Sequence, residues 1–346
     1  MPMDWPTILG KLASGTDLSR DEAREAMSEV MGGTASPAQI SALIVSLRMK
    51  GETVEEMTGL VEAIKSAAVP VPVDAAGLVD VVGTGGDRSG TFNISTTAAL
   101  IAAGAGVRVA KHGNRSMSSK CGSADVLEGL GVNINLPVES NLALLADTGF
   151  AFFFAPLYHP SFRHAGPVRR ELGIATVFNF LGPLANPAGA RRQAVGVSDR
   201  RMAERVIGVL ASLGSESSFV FCGNGGLDEI TTSGPTLIYR LMDGEITHAE
   251  FTPEDFGVDR SGLDEIQGGG VQENVGILRG VLDGKPGPYR DAALINAAPA
   301  LVVAGLASGF GDAVEVARRT IDTGLAAALL DRVVARSREL SAPETV

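Results

Sequence analysis

Apolar positions recur every three to four residues from Trp5 to Val69, the spacing of helices that each bury one face. Ile8, Leu9 and Leu12 open the series, and Ser19 to Met31, Pro37 to Lys50 and Val54 to Ala68 continue it, so the pattern predicts four helices. Ser19 ahead of Glu22 and Thr53 ahead of Glu56 have the spacing of capping boxes. Val69-Pro70-Val71-Pro72-Val73 ends the pattern as a stiff extended linker and marks a domain boundary.

Beyond the linker, short apolar runs alternate with helical stretches. Leu78 to Val82, Val107 to Ala110, Phe150 to Ala155, Ala194 to Val197 and Ser218 to Cys222 read as strands. Ile94 to Ala103, Ala124 to Leu130, Val138 to Asp147, Ser161 to Leu172 and Arg201 to Leu213 read as the helices between them. This order predicts an α/β fold: a mostly parallel central sheet flanked by helices, beside a smaller all-helical domain. Pro156 to Pro160 is expected as a loop, Thr176 to Pro187 as a proline-punctuated turn region, and Gly268-Gly269-Gly270 as a flexible joint. Ile238 to Glu250 reads as a hairpin turning at Asp243-Gly244. Helices over Glu273 to Leu282, Arg290 to Ala307 and Asp312 to Arg338 close the chain. The most apolar long segment, Ala292 to Gly309, contains Asn296 and Pro299 and reads as a buried helix pair, not a membrane span.

At 346 residues and 45% hydrophobic, the chain can bury one large core and a smaller one. A formal charge of −11 argues against nucleic-acid binding through a broad basic surface, so an anionic ligand must be met by a local basic pocket. MPMDWPTILGKL lacks a basic stretch followed by an apolar one, so neither a secretory signal nor an anchor is read and a cytoplasmic location is expected, with no membrane partner. Cys121 and Cys222 allow one disulfide at most, suit a reducing compartment, and are read as packing or loop residues.

Asp80 to Gly131 carries the chemistry. Gly83, Gly85 and Gly86 in Gly83-Thr84-Gly85-Gly86-Asp87 can bring backbone N–H groups together on an anion. Asn93-Ile94-Ser95-Thr96-Thr97 is a helix start whose free N–H groups favour a second phosphate. Lys111 to Lys120 adds three cations, an amide and three hydroxyls from the other side. Within this stretch Arg88, Arg108, Lys111, Arg115 and Lys120 outnumber Asp80, Asp87, Asp125 and Glu128, against the sign of the whole chain. His112 reads as a loop hydrogen-bonder, since no second His or Cys stands at metal-ligand spacing.

GTGGD, NIST, KHGNR and SS followed by GSAD, in this order and spacing, resemble the anthranilate phosphoribosyltransferase family of tryptophan biosynthesis, over nearly the whole chain. The resemblance implies that phosphoribosyl pyrophosphate is lined by Gly83, Gly86, Asp87, Thr91, Asn93, Ile94, Ser95, Thr96, Lys111, His112, Gly113, Asn114, Arg115, Ser116, Met117, Ser118, Ser119 and Ser123. It implies Gly83, Asn114 and Arg169 for anthranilate, although Arg170 can instead be the arginine that points inward. Asp228, Glu229 and Ser95 are the implied metal contacts, for two magnesium ions per subunit, and the acidic pair is expected on an exposed loop. The resemblance further implies a homodimer, and a helical domain of residues 1–73 completed by about 160–187. Residues 74–159 and 188–346 then form the α/β domain, with the cleft between the two. Cys121 and Thr231 stand where serines are also met in such loops.

Two other readings compete. A pyrimidine-nucleoside phosphorylase shares the architecture and a glycine-rich phosphate loop, but leaves Asp228-Glu229 and the helix start at Asn93 without their roles. A non-catalytic nucleic-acid-binding relative conflicts with the acidic charge and with the presence of KHGN.

Overall fold

A computed structural model describes residues 3–116 and 120–341. Four helices open the chain, α1 (Trp5–Ala13), α2 (Arg20–Gly32), α3 (Pro37–Lys50) and α4 (Val54–Ser66). Reciprocal capping boxes form at Ser19/Glu22 and Thr53/Glu56, and a third, Ser36/Gln39, starts α3 with Pro37 at its first position.

Seven strands form one sheet: β1 (Val79–Gly83), β2 (Val109–Gly113), β3 (Phe150–Phe154), β4 (Arg192–Gly196), β5 (Ser217–Gly223), β6 (Thr236–Met242) and β7 (Glu245–Phe251). Their spatial order is β3-β2-β1-β4-β5-β6-β7. The first five run parallel, and β6 and β7 add an antiparallel hairpin with Asp243 and Gly244 at positive φ in its turn. The chain leaves β1 toward β2 and β3, then returns to place β4 on the other side of β1. Ligand crevices open at such a switch point, beyond the carboxyl ends of the strands. Gly83 and Gly196, paired in register, stand at those ends.

The parallel strands are apolar on both faces because both are covered. Val79, Val81, Ala194, Phe219 and Phe221 pack with α5 (Ile94–Gly104), α13 (Pro288–Val303) and neighbouring helices. Val82, Val195, Val220 and Cys222 face α11 (Arg200–Ser212) and the apolar cluster of α1 to α4, which also takes in α9 (Phe162–Leu172) and α10 (Phe178–Leu184). The remaining helices are α6 (Ser123–Gly129), α7 (Val138–Thr148), α8 (Ala155–Tyr158), α12 (Val271–Leu282), α14 (Phe310–Asp322) and α15 (Leu325–Glu339).

Several expectations need correction. The segment Asp312 to Arg338 is two helices, because Gly324 adopts φ 75 between α14 and α15. Ala292 to Gly309 is not a helix pair: α13 runs through Pro299 to Val303. The Thr176–Pro187 turn region contains a full helix, α10, with Pro183 inside it, and the loop after β3 holds the short α8. Lys111, His112 and Gly113 lie on β2, not in a loop, so His112 is a buried strand residue. Cys121 and Cys222 are both buried. Among the described residues, no helix is long and apolar enough to cross a membrane.

Candidate active site

The glycine-rich loop leaves β1 with Gly85 and Gly86 at φ 67 and 81. The chain after β5 turns at Asn224–Gly226 and returns Asp228 and Glu229 to the same crevice. Two strand ends make room for them. A Cβ at Gly196 would lie 1.7 Å from the Asp228 carbonyl oxygen, and one at Gly83 would lie 2.5 Å from Asp228 Oδ2. The Gly85 N–H donates to Asp228 Oδ2 at 2.6 Å, and the Ser95 N–H, in the first turn of α5, donates to Glu229 Oε1 at 3.1 Å. Asn296 of α13 fixes the adjoining backbone, accepting from the Ile230 N–H and donating to the Ile230 carbonyl, both at 2.8 Å.

The acidic pair is therefore buried, 9% and 8% exposed, and not on an exposed loop as expected. Burial, reinforced by the charge of Asp87, pushes the Asp228 carboxyl up to about 7, and burial with the neighbouring Asp228 raises Glu229 well above the usual carboxylate range. Lys111 is also buried. Its Nζ donates to the Val81 carbonyl and stands 3.5 Å from Ser95 Oγ. Burial pulls the amine's pKa down, while Asp80, Glu229 and Asp228 oppose that shift. The site thus brings two buried carboxyls and one buried lysine together beside the N–H groups of the glycine-rich loop and the α5 start.

The other residues expected here divide by position. Asp87 caps the Ser89 N–H at 3.2 Å, and the Thr91 hydroxyl lies 3.3 Å from Ser89 Oγ. Asn93 precedes α5, Ile94 is buried at its start, and the Thr96 hydroxyl is buried with no hydrogen-bond partner among the described residues. Ser123 Oγ donates to the Asn114 carbonyl at 3.2 Å, and Gly113 leaves space for that hydroxyl. Asn114 is exposed. The Ser116 N–H donates to Asp125 at 3.3 Å. The Arg115 guanidinium turns to Asp125, at 2.7 Å, and to Glu128. Met117, Ser118 and Ser119 lie outside the described residues.

Arg169 reaches this neighbourhood along a row of rings. His112 lies 5.1 Å from His159, His159 5.7 Å from Phe162, and Phe162 5.9 Å from Phe178, over which the Arg169 guanidinium sits at 5.1 Å. Arg169 is half-buried, with no ion pair among the described residues, whereas Arg170 is exposed. The residue after Phe178, Asn179, would be 4.0 Å from a Cβ on Gly86, so α10 links the arginine to the glycine-rich loop. Burial lowers both imidazoles, His112 to about 3 and His159 to about 4, so both are neutral near pH 7.

Two family models match the chain. The glycosyl transferase family a/b domain matches residues 75–327, and the helical bundle domain of the same family matches residues 6–68. The chain is 51% identical to an anthranilate phosphoribosyltransferase of Rhodopseudomonas palustris (strain BisB18) over 96% of its own length and 98% of the relative's. It belongs to the anthranilate phosphoribosyltransferase family. The crystal structure of the anthranilate phosphoribosyltransferase from Thermus thermophilus superposes with a TM-score of 0.91 at 40% identity, covering 96% of this chain and 99% of that one. The Saccharomyces cerevisiae enzyme, solved in complex with PRPP and Mg, superposes with a TM-score of 0.89 at 26% identity, covering 98% and 99%.

Sequence reasoning missed four residues that shape this candidate site: Gly196, Asn296, His159 and Ser198. The Ser198 N–H donates to Thr84 Oγ1 at 3.1 Å and ties the β1 and β4 loops together. A glycine at the end of a predicted strand signalled Gly196 in principle. The other three are distant in sequence from any motif and become neighbours only in the fold.

Proposed function

We propose that the chain transfers the phosphoribosyl group of 5-phosphoribosyl 1-pyrophosphate to the amine of anthranilate, releasing pyrophosphate, in tryptophan biosynthesis. The observation that carries this reading is the pairing of the Gly85 and Ser95 N–H groups with the buried Asp228 and Glu229, which joins two anion-binding backbones to one acidic centre. A nucleoside phosphorylase needs one phosphate site and leaves this convergence without a purpose.

Displacement at C1 builds oxocarbenium character as pyrophosphate leaves, so the protein's work is orientation and electrostatics, with no covalent nucleophile. Gly83, Gly86, Asp87, Thr91, Asn93 to Thr96, Lys111 to Ser119 and Ser123 line the phosphoribosyl pyrophosphate in this reading. Lys111 offers its charge to the leaving group, and the α5 terminus offers N–H groups to a phosphate. Gly83, Asn114 and Arg169 take anthranilate, the arginine fork meeting its carboxylate and Phe178 holding the guanidinium in place. The neutral His112 and His159 form an uncharged wall beside the aromatic substrate.

The acidic pair fits a hard divalent cation. Its carboxylates are buried side by side with raised pKa values, a burden that a cation relieves. Among the described residues no group of three or more His, Cys, Asp or Glu side chains can hold a metal, so a cation at Asp228, Glu229 and Ser95 completes its shell with oxygens of water and diphosphate. Bound magnesium would neutralise the departing diphosphate oxygens. Two ions per subunit, a homodimer and a cytoplasmic location belong to the same reading, the first two resting on the resemblance. So does the division into a helical unit, 1–73 with about 160–187, and an α/β unit, 74–159 with 188–346. The apolar cluster that α1 to α4 share with α9 and α10 supports grouping 160–187 with the helical unit, although it continues onto α11 and the β1, β4 and β5 strands of the other unit.

The test is direct. Protein with magnesium, phosphoribosyl pyrophosphate and anthranilate should deplete anthranilate fluorescence. Turnover of thymidine with phosphate in its place would sink the reading.

A further inference from the structure

Gly268-Gly269-Gly270, expected as a flexible joint, is a tight seam against the segment that joins the GTGGD loop to α5. The Gly268 N–H donates to the Gly90 carbonyl at 2.8 Å, and the Phe92 N–H donates to the Ile266 carbonyl at 3.1 Å. Gln267 Nε2 donates to the Ser89 carbonyl at 3.0 Å, and the Tyr289 hydroxyl donates to the Gln267 carbonyl at 2.8 Å. A Cβ on Gly268 would lie 2.7 Å from Asn274 Oδ1 and 2.8 Å from Phe92 Cα, so this approach of the two backbones requires glycine.

Asn274, in α12, is 2% exposed and sits at the centre of the seam. Its Oδ1 accepts the Gly269 N–H at 2.8 Å, and its Nδ2 donates to Asn93 Oδ1 at 2.9 Å. Asn93 Nδ2 in turn donates to the Cys121 carbonyl at 3.1 Å. The relay has one polarity. A backbone N–H, which only donates, closes one end, and a backbone carbonyl, which only accepts, closes the other, so neither carboxamide can turn over without setting like poles together. The Asn274 amide also contacts the Cys121 side chain. Cys121 stands between the chain that leaves β2 after Gly113 and the start of α6, and Asn93 opens the helix that carries Ser95. One buried amide therefore joins both anion-binding loops to α12.

We propose that Asn274 is a positioning residue for phosphoribosyl transfer: through the Asn93 carboxamide it sets the geometry of the NIST helix start and couples it to the loop ending at Cys121, so both loops engage the diphosphate ester as one unit. The inference rests on the function proposed above for this site. A buried asparagine that only satisfied local backbone would need the Gly269 contact alone. The second contact, to a side chain whose other end grips a different loop, is what a positioning role requires.

Asn274→Asp separates the two roles, because a carboxylate still accepts from Gly269 but cannot donate to Asn93, whose amide must then turn and confront the Cys121 carbonyl. The expected result is a KM for phosphoribosyl pyrophosphate raised about tenfold, the loss of roughly one hydrogen bond. The anthranilate KM at saturating phosphoribosyl pyrophosphate stays within about twofold. Asn274→Leu loses both bonds and adds a lower Tm to the same KM split. Hydrogen exchange of the ligand-free proteins gives an activity-independent readout: Asn274→Asp should speed exchange over both 93–97 and 120–125. Wild-type KM values in Asn274→Asp, equal rises for both substrates, or exchange changes confined to 268–274 would each overturn the proposal. A wild-type protein that does not turn over this substrate pair would instead overturn the function, while the exchange measurement would still judge the coupling.

Discussion

In the function proposed, Arg169→Ala should separate recognition of the acceptor from recognition of the donor. The guanidinium lies over Phe178 at 5.1 Å, half-buried, and burial lowers its pKa because no carboxylate among the described residues compensates it. A cation kept partly desolvated without an internal partner is poised for an external one. A charge-assisted hydrogen bond contributes about 1.5–3 kcal/mol, so its removal should raise the anthranilate KM by roughly 10- to 150-fold. Stability should change little. The substitution leaves no carboxylate unpaired and removes a ring contact worth about 0.5–1 kcal/mol, or at most about 4 °C in Tm. Arg169→Lys keeps the charge but not the fork and should fall between wild type and alanine, while Arg170→Ala, on the exposed side of α9, should stay within about twofold. The assay is the initial rate of anthranilate fluorescence loss at saturating magnesium and phosphoribosyl pyrophosphate, with anthranilate varied, beside a thermal melt of each variant. If Arg170→Ala raises the anthranilate KM and Arg169→Ala does not, or if the phosphoribosyl pyrophosphate KM rises equally, the reasoning is refuted.

Asp228→Asn with Glu229→Gln should lower turnover by at least about 100-fold and move the magnesium dependence to higher concentration. In EDTA the Tm should stay within a few degrees of wild type, because amide oxygens still accept from Gly85 and Ser95 while two buried charges disappear; a double variant with full turnover and unchanged magnesium response contradicts the assignment. Gly85→Ala meets open space but is held at φ 67, so a strain of about 1–2 kcal/mol falls on the N–H that faces Asp228, and the phosphoribosyl pyrophosphate KM should rise more than the anthranilate KM. Gly196→Ala, by contrast, drives a Cβ into the Asp228 carbonyl and should abolish activity and lower Tm together. His112 and His159 titrate at about 3 and about 4 when folded but near 6.5 when unfolded, so below about pH 6.5 the unfolded chain takes up protons that the folded one refuses. Stability should fall as pH drops from about 6.5 toward 4, and urea titrations of His159→Gln should show a shallower fall; an unchanged slope would remove this account.

Much of the architecture was legible because it is written in local periodicity. The four opening helices and two of their capping boxes follow from residues three and four apart. The parallel strands follow from apolar runs that break at glycine, and the hairpin follows from Asp243-Gly244. These signals act within one turn or one strand, so neighbours in sequence suffice to read them. Where local signals conflicted, the fold overruled them. Pro299 and Pro183 are themselves buried inside helices packed into the core, so packing outweighs the lost hydrogen bond.

The glycine-rich loop and the start of α5 were legible for the same reason. GTGGD and NIST carry their N–H geometry in their own backbones. The acidic half was legible only as residues, not as an environment. Nothing near Asp228 and Glu229 in sequence announces burial, because it is created by Gly83 and Gly196, which stand far away and lack a Cβ, and by Asn296, which clamps Ile230 from α13. Which of Arg169 and Arg170 is half-buried against Phe178 likewise depended on how α9 rotates against α10, which adjacent identical residues cannot encode. Asn274 has no motif at all. Its role exists only because α12 packs against the start of α5, where a hydrogen-bond relay can run between residues that tertiary contact alone makes neighbours.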